Sequence, residues 1–238
     1  MTSLLKKELA FFLNNPLGYI VILIFSIFAN FMFVKDIFIT GSASMRPFFE
    51  ILPWLLMIFV PALVMRMIAE EKRTNTLEVL LSLPISEISI VVAKFISALI
   101  ITSLALLLTT ALPLSMYALT GEVGGKLYLP EVIVGYFGSL LVASSFIALS
   151  LFFSSLTKNQ IVAFLTSIVT LFFLVIFSTD FASNVLPANI QNVLNYLSPI
   201  TQLTSFAKGV LDFRNIFYFV SFTMLFLILT IVDLERRS

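Results

Sequence analysis

Cysteine and histidine are both missing from the 238 residues. The first absence removes disulfides and thiolate nucleophiles, and the second removes imidazole acid–base chemistry. Together they remove the usual Cys and His ligands of zinc sites. Charge is also scarce, with 14 Lys and Arg against 13 Asp and Glu and a formal net charge of +1. A chain so nearly neutral offers no footprint for nucleic acid. There is no Gly-x-x-x-x-Gly-Lys-Ser/Thr phosphate loop, since Gly124-Gly125-Lys126-Leu127 is only a fragment of one. What is abundant is hydrocarbon: 60% of residues are hydrophobic, 26 of them Phe, and the mean hydropathy is +1.09. A soluble domain of this size cannot bury so much apolar surface, so the composition indicates an integral membrane protein with Phe as lipid-facing bulk.

A membrane-crossing helix takes roughly 20 mostly apolar residues. Six segments meet or approach that length: residues 17–34, 51–69, 88–119, 132–156, 161–179 and 216–232. The third exceeds what a bilayer needs, and Pro113 is expected to bend or end its far part. The polar turn Thr157-Lys158-Asn159-Gln160 separates the fourth from the fifth. Lys6 and Lys7 precede an apolar run that is long, starts after Pro16 and lacks a small-residue cleavage site, so a retained helix is expected rather than a leader.

Six crossings put both termini on one side. Lys6, Lys7, Arg66, Lys72, Arg73, Lys158, Arg236 and Arg237 share that side, with Lys94 expected to snorkel to it. Lys35, Arg46, Lys126, Lys208 and Arg214 fall on the other, spread over longer loops. The bias favours cytoplasmic termini.

Two segments outside the spans have helical character. Residues 3–16 gather Leu4, Leu5, Leu9, Phe12 and Leu13 on one side, with Lys6 and Lys7 near the other, until Asn14-Asn15-Pro16 breaks the run. This pattern suits a helix lying in the membrane interface, with a plain N-terminal extension of the first span as the alternative. In the loop 180–215, Pro187 and Pro199 stand where helices start. Ile190, Val193, Leu194 and Leu197 share one face, and Leu203, Phe206, Ala207 and Val210 share another. Two short re-entrant helices and a surface cap fit this pattern equally well. Within the fourth span Gly135, Ser139 and Ala143 recur at i+4, followed by Ser144 and Ala148, which signals close helix packing.

The most informative stretch is AEEKRTNTLEVLLSLPIS, residues 69–86, a charged turn in an otherwise greasy chain. Asn75 is placed to cap a new helix and Glu78 to reach back to that cap. Pro84 stops the helix, and Ser86 is placed to cap the third span. A capped loop without a partner fits the local pattern, but it leaves Leu80, Leu81 and Leu83 facing water or headgroups unless another surface covers them.

This stretch resembles the signature of ABC type-2 transporter permeases, in which Glu and basic residues precede Gly-Thr-Leu/Ile-Glu-x-Leu-Leu and then Pro. The matching residues are Glu71, Lys72, Arg73, Thr76, Leu77, Glu78, Leu80, Leu81 and Pro84. Asn75 stands where the family has Gly, and Asn is a residue that tolerates a left-handed backbone. The start KKELAFFLNNPLGYI, the second span, the stretch LSPITQLTSFAKGVLDFRNIFYFVS and the ending DLERR are similar to corresponding parts of that family. The likeness is nearest to the branch linked to gliding motility and nitrous-oxide-reductase maturation.

The resemblance implies an all-α integral membrane fold over residues 1–238: six transmembrane helices, an N-terminal interfacial helix, a coupling helix between spans two and three, and a partly helical external loop between spans five and six. It implies a single permease domain without a nucleotide-binding domain, not an enzyme by itself, in a prokaryotic cytoplasmic membrane. The implied partners are a separate ATP-binding cassette subunit, which would hold ATP and magnesium, and a second copy or a related permease, all within the lipid bilayer. The coupling helix would enter a groove on the ATPase through Glu70, Glu71, Lys72, Arg73, Thr76, Leu77, Glu78, Leu80, Leu81 and Pro84, and the output would be export or work on an extracytoplasmic process. Pro53, Pro61, Thr166, Ser167, Thr170 and Phe173 are candidates for a translocation path, with hydrogen bonding between helices as the plainer reading of the hydroxyls.

No carboxylate sits in the middle of an expected span, which argues against an ion-coupled carrier. The main rival is an ATPase-independent channel or scaffold. An intramembrane enzyme lacks the usual acids and bases, with Lys94 and Ser97 as the nearest Ser–Lys pair.

Overall fold

The computed structural model of the chain describes residues 2–40, 44–82, 85–120, 128–176 and 195–236. Among them there is no strand. The helices are α1 (Thr2–Leu13), α2 (Pro16–Thr40), α3 (Arg46–Val64), α4 (Arg66–Arg73), α5 (Thr76–Leu81), α6 (Glu87–Thr109), α7 (Ala111–Thr120), α8 (Leu129–Leu156), α9 (Gln160–Ile176), α10 (Pro199–Ala207) and α11 (Phe213–Glu235).

Their ends follow local chemistry. Asn14 and Asn15 separate α1 from α2, which starts at Pro16. Ser86 accepts from the Ser89 N–H at the start of α6, and Asp212 accepts from the Arg214 N–H at the start of α11. Each satisfies one of the orphan donors of a first helical turn. The Asn159 side chain does the same for Ile161 N–H at 3.0 Å, so the polar turn between α8 and α9 is a true break. α6 gives way to α7 at Thr110, where Pro113 has no N–H to offer the carbonyl four residues back. Pro53 and Pro61, by contrast, lie buried within a continuous α3.

Five helical stretches are long and apolar enough to cross a membrane among the described residues: within α2, the α3–α4 pair, the α6–α7 pair, α8 and α11. The sixth expected span corresponds to α9, which has 17 described residues and falls short of that length. The count of six is therefore not reached by length and composition alone. Leu83, Pro84, the fragment 124–127, Pro187, Ile190, Val193 and Leu194 lie outside the described residues.

α8 is the axis of the bundle, touching α3, α6, α9, α10 and α11. Its small residues explain this. A Cβ on Gly135 would stand 2.2 Å from the Phe49 ring of α3, and one on Gly138 would stand 2.6 Å from Phe206 of α10. The i+4 stripe of small residues is thus a packing seam, as its spacing indicated. Phe is not only lipid-facing bulk: Phe33, Phe48 and Phe49 stack edge to face at 5.4–5.5 Å, and Phe49 meets Tyr136 at 5.3 Å. α10 packs Leu203, Phe206 and Ala207 inward, while Val210, expected on the same face, is exposed.

The seam is directly testable. Gly135→Ala should lower stability by about 1–3 kcal/mol, because the added methyl overpacks a fully buried ring. Thermal unfolding in detergent measures it, and Phe49→Leu on the same background should recover part of the loss. An unchanged midpoint for Gly135→Ala would contradict the packing.

Candidate functional site

The charged turn begins where α3 breaks. At Met65 the helix axis restarts as α4, which leaves first-turn N–H groups without intrahelical acceptors. No side chain of α4 caps them. Instead, Ser154 of α8 accepts from the N–H of Ile68 at 3.3 Å and of Ala69 at 3.1 Å, and donates to the Met65 carbonyl at 3.1 Å. A serine from another helix thus serves as the cap and fastens α4 to the axis of the bundle.

Two buried lysines extend this joint. Lys94 of α6 lies 3.0 Å from Glu8 of α1 and 2.9 Å from Glu71 of α4, and donates to the Met67 carbonyl at 2.7 Å. Glu71 Oε2 lacks an aligned hydrogen-bond donor, so its contact with Lys94 is an ion pair. Lys72 of α4 pairs with Asp233 of α11 at 3.2 Å and donates to the Ser155 carbonyl of α8. Residues from α1, α4, α6, α8 and α11 therefore meet around three carboxylates and two ammonium groups. Removing one member of such a buried set strands a charge, which costs far more than an exposed pair is worth.

Several sequence expectations change here. Lys94 does not snorkel to the surface; its side chain is 1% exposed and its charge is met internally. Ser97 donates to the Lys94 backbone carbonyl, not to the amine, so no Ser–Lys pair forms. On α1 the inward stripe is Leu4, Glu8 and Phe12, with Leu13 exposed, so the face is rotated from the apolar grouping expected. Glu8 was missed altogether. Its signal was its spacing, four residues from Leu4 and four from Phe12, which puts a carboxylate in the middle of an apolar stripe.

The charged stretch expected to meet a partner divides into two sets. Glu71 and Lys72 turn inward to the joint, and Leu77 and Leu80 are buried within the chain. Leu81 is half-buried. Facing outward are Arg73, Thr76, Glu78 and Val79, with Glu70 half-buried and paired to Arg73.

No capping box forms, because Asn75 makes no side-chain cap and sits instead in the left-handed region at φ 57°. It follows Thr74, the C-cap of α4, at a position that favours Gly and then Asn. The hydroxyls of Thr74 and Thr76 cover the last carbonyls of α4, at 3.0 Å from Glu70 O and 3.4 Å from Glu71 O.

The translocation-path candidates are placed less tellingly. Thr166, Ser167 and Thr170 each donate to a carbonyl four residues back on α9, so their bonds lie within one helix and not between helices. Phe173 is exposed, and Pro53 and Pro61 are buried in α3, which packs against α9.

Two substitutions test this account. Lys94→Met should cost about 3–5 kcal/mol by stranding Glu8 and Glu71, and adding Glu8→Gln and Glu71→Gln should restore most of it. Asn75→Gly should leave stability nearly unchanged, while Asn75→Val should cost about 1–2 kcal/mol through its left-handed φ. Thermal unfolding reads both. Equal effects of Gly and Val at position 75 would contradict the turn.

A family model described as ABC-2 family transporter protein matches residues 3–238. No curated protein matches the chain.

Proposed function

The chain belongs to the ABC-2 transporter family, and on that premise we propose that it is the permease subunit of an ATP-binding cassette transporter, coupling hydrolysis in a separate subunit to export or to work on an extracytoplasmic process. In this reading residues 3–238 are one permease domain, and ATP hydrolysis takes place in the separate subunit. ATP and magnesium belong to the partner, and a second copy or a related permease completes the transporter. It resides in a prokaryotic cytoplasmic membrane with both termini inside.

The observation that carries the reading is the division of the coupling segment. Glu78 and Val79 are offered to a partner on a six-residue helix, while Glu71 and Lys72 behind them are ion-paired to two other helices, α6 and α11, and Lys72 is hydrogen-bonded to a third, α8. A push on α5 would therefore reach α1, α6 and α11 through charged contacts and α8 through Ser154. Closure of two ATPases is expected to rock the spans in this way.

α9 supplies the sixth crossing in this reading. α8 and α11 both end at the Lys72 joint, and α11 is about 34 Å long at 1.5 Å per residue, so its start lies at the far end of the bundle. α9 leaves the joint end, and the chain must traverse the bundle before α11 begins.

The test is an affinity pull-down of the chain from native membranes in mild detergent. An ATP-binding cassette subunit should be retained by the wild type and lost on Glu78→Lys, with thermal unfolding unchanged. Recovery of the chain alone, under conditions that preserve a known transporter of this kind, would favour a channel or scaffold.

A further inference from the structure

A polar cleft of about 600 Å³ opens beside the joint, between α1, α4 and the α8–α9 turn, and its charged lining is Arg66, Arg73, Lys158 and Glu70. Glu70 is already paired to Arg73, which leaves an excess of positive charge facing the cleft. Phe11 and Arg66 are shared with a smaller apolar hollow against Gly18 and Leu63. That hollow in turn shares Val21 and Ala62 with a groove of about 280 Å³ between α2 and α3, lined by Ile24, Phe28, Leu55 and Ile58. Cationic cleft and apolar groove thus adjoin by way of this hollow.

We propose that cleft and groove together bind one anionic phospholipid, with its phosphate at Arg66 and Lys158 and an acyl chain laid in the α2–α3 groove. Three features identify the occupant. The cleft is cationic and lies at the end of the bundle that carries the joint, where α1 and the polar turn mark the edge of the apolar spans. Arginine and lysine at that level attract anionic headgroups. The groove is almost wholly apolar, so its contents are hydrocarbon. Its reach also fits, because Leu55 of α3 lies eleven residues before Arg66 at the start of α4, about 16 Å at 1.5 Å per residue, close to half of the ~30 Å hydrocarbon core. A headgroup at Arg66 would therefore send its chain down the groove through one leaflet. The headgroup contacts Arg66 and Lys158 are separate from the outward face of α5, while Glu70 and Arg73 border both the cleft and the outward surface.

Native mass spectrometry of the purified full chain tests it, with phosphatidylglycerol and phosphatidylethanolamine of identical acyl chains added in competition. Phosphatidylglycerol should be retained preferentially, and Arg66→Gln with Lys158→Gln should reduce that preference on the order of tenfold. Arg214→Gln, at the far end of the bundle, should leave it unchanged. Ala62→Phe should weaken retention of the whole lipid by filling the groove, while circular dichroism confirms that helicity is kept. Equal retention of the two lipids, or a preference untouched by the double variant, overturns the proposal. So does displacement of the lipid by millimolar inorganic phosphate, which would mark a free-phosphate site. Loss of a co-purifying protein from the double variant with the lipid preference intact would assign the cleft to a protein partner instead.

Discussion

An ammonium group removed from water at the end of an apolar bundle must be met by charge, and Lys94 is met from two directions. Glu8 arrives on α1 and Glu71 on α4, and the Met67 carbonyl takes a further hydrogen bond. This requirement fixes much else. It holds the N-terminal helix against α6, orients α4 where α3 breaks, and turns Lys72 towards Asp233 and the end of α8. The isolated worth of such buried pairs is small, because desolvation offsets attraction; their consequence is that each partner has one acceptable place. The short helix α5 is carried on that fixed piece.

The division between inward and outward charges gives a physical meaning to a motif that reads as one run of letters. Glu70, Glu71, Lys72 and Arg73 are consecutive, yet a helix spreads four residues around more than one turn. Two therefore face the bundle and two face out. In the proposed transporter this suits transmission, since the inward pair would hold the linkage and the outward groups would meet the partner. The left-handed Asn75 supplies the sharp change of direction between α4 and α5 that the family takes from Gly.

The spans were legible in the sequence wherever hydrophobicity alone decides. The breaks at Asn14-Asn15, near Pro113 and at Thr157 to Gln160 follow from residues that cannot continue a helix or that cap the next one. The i+4 run of Gly135, Ser139 and Ala143 announced the packing of α8. The ionic joint was not legible, because its paired members lie up to 161 positions apart, as Lys72 and Asp233 do, and no local pattern pairs them. Lys94 beside a membrane edge reads as a snorkelling residue, and only the approach of α1 and α4 makes it internal. Leu80 reads as uncovered for the same reason, yet it is buried within the chain, and Leu81 is half-buried.

The absence of cysteine allows the central claim to be tested at a single site. Val79→Cys would place one thiol on the outward face of α5, where the native side chain is 65% exposed. The decisive measurement is its rate of modification by a water-soluble maleimide in native membranes and in the chain purified alone. The account predicts strong protection in the membrane and rapid modification of the purified chain, because a docked ATPase covers α5. Equal rapid modification in both settings, while a transporter of this kind is shown to remain assembled under the same conditions, would contradict it.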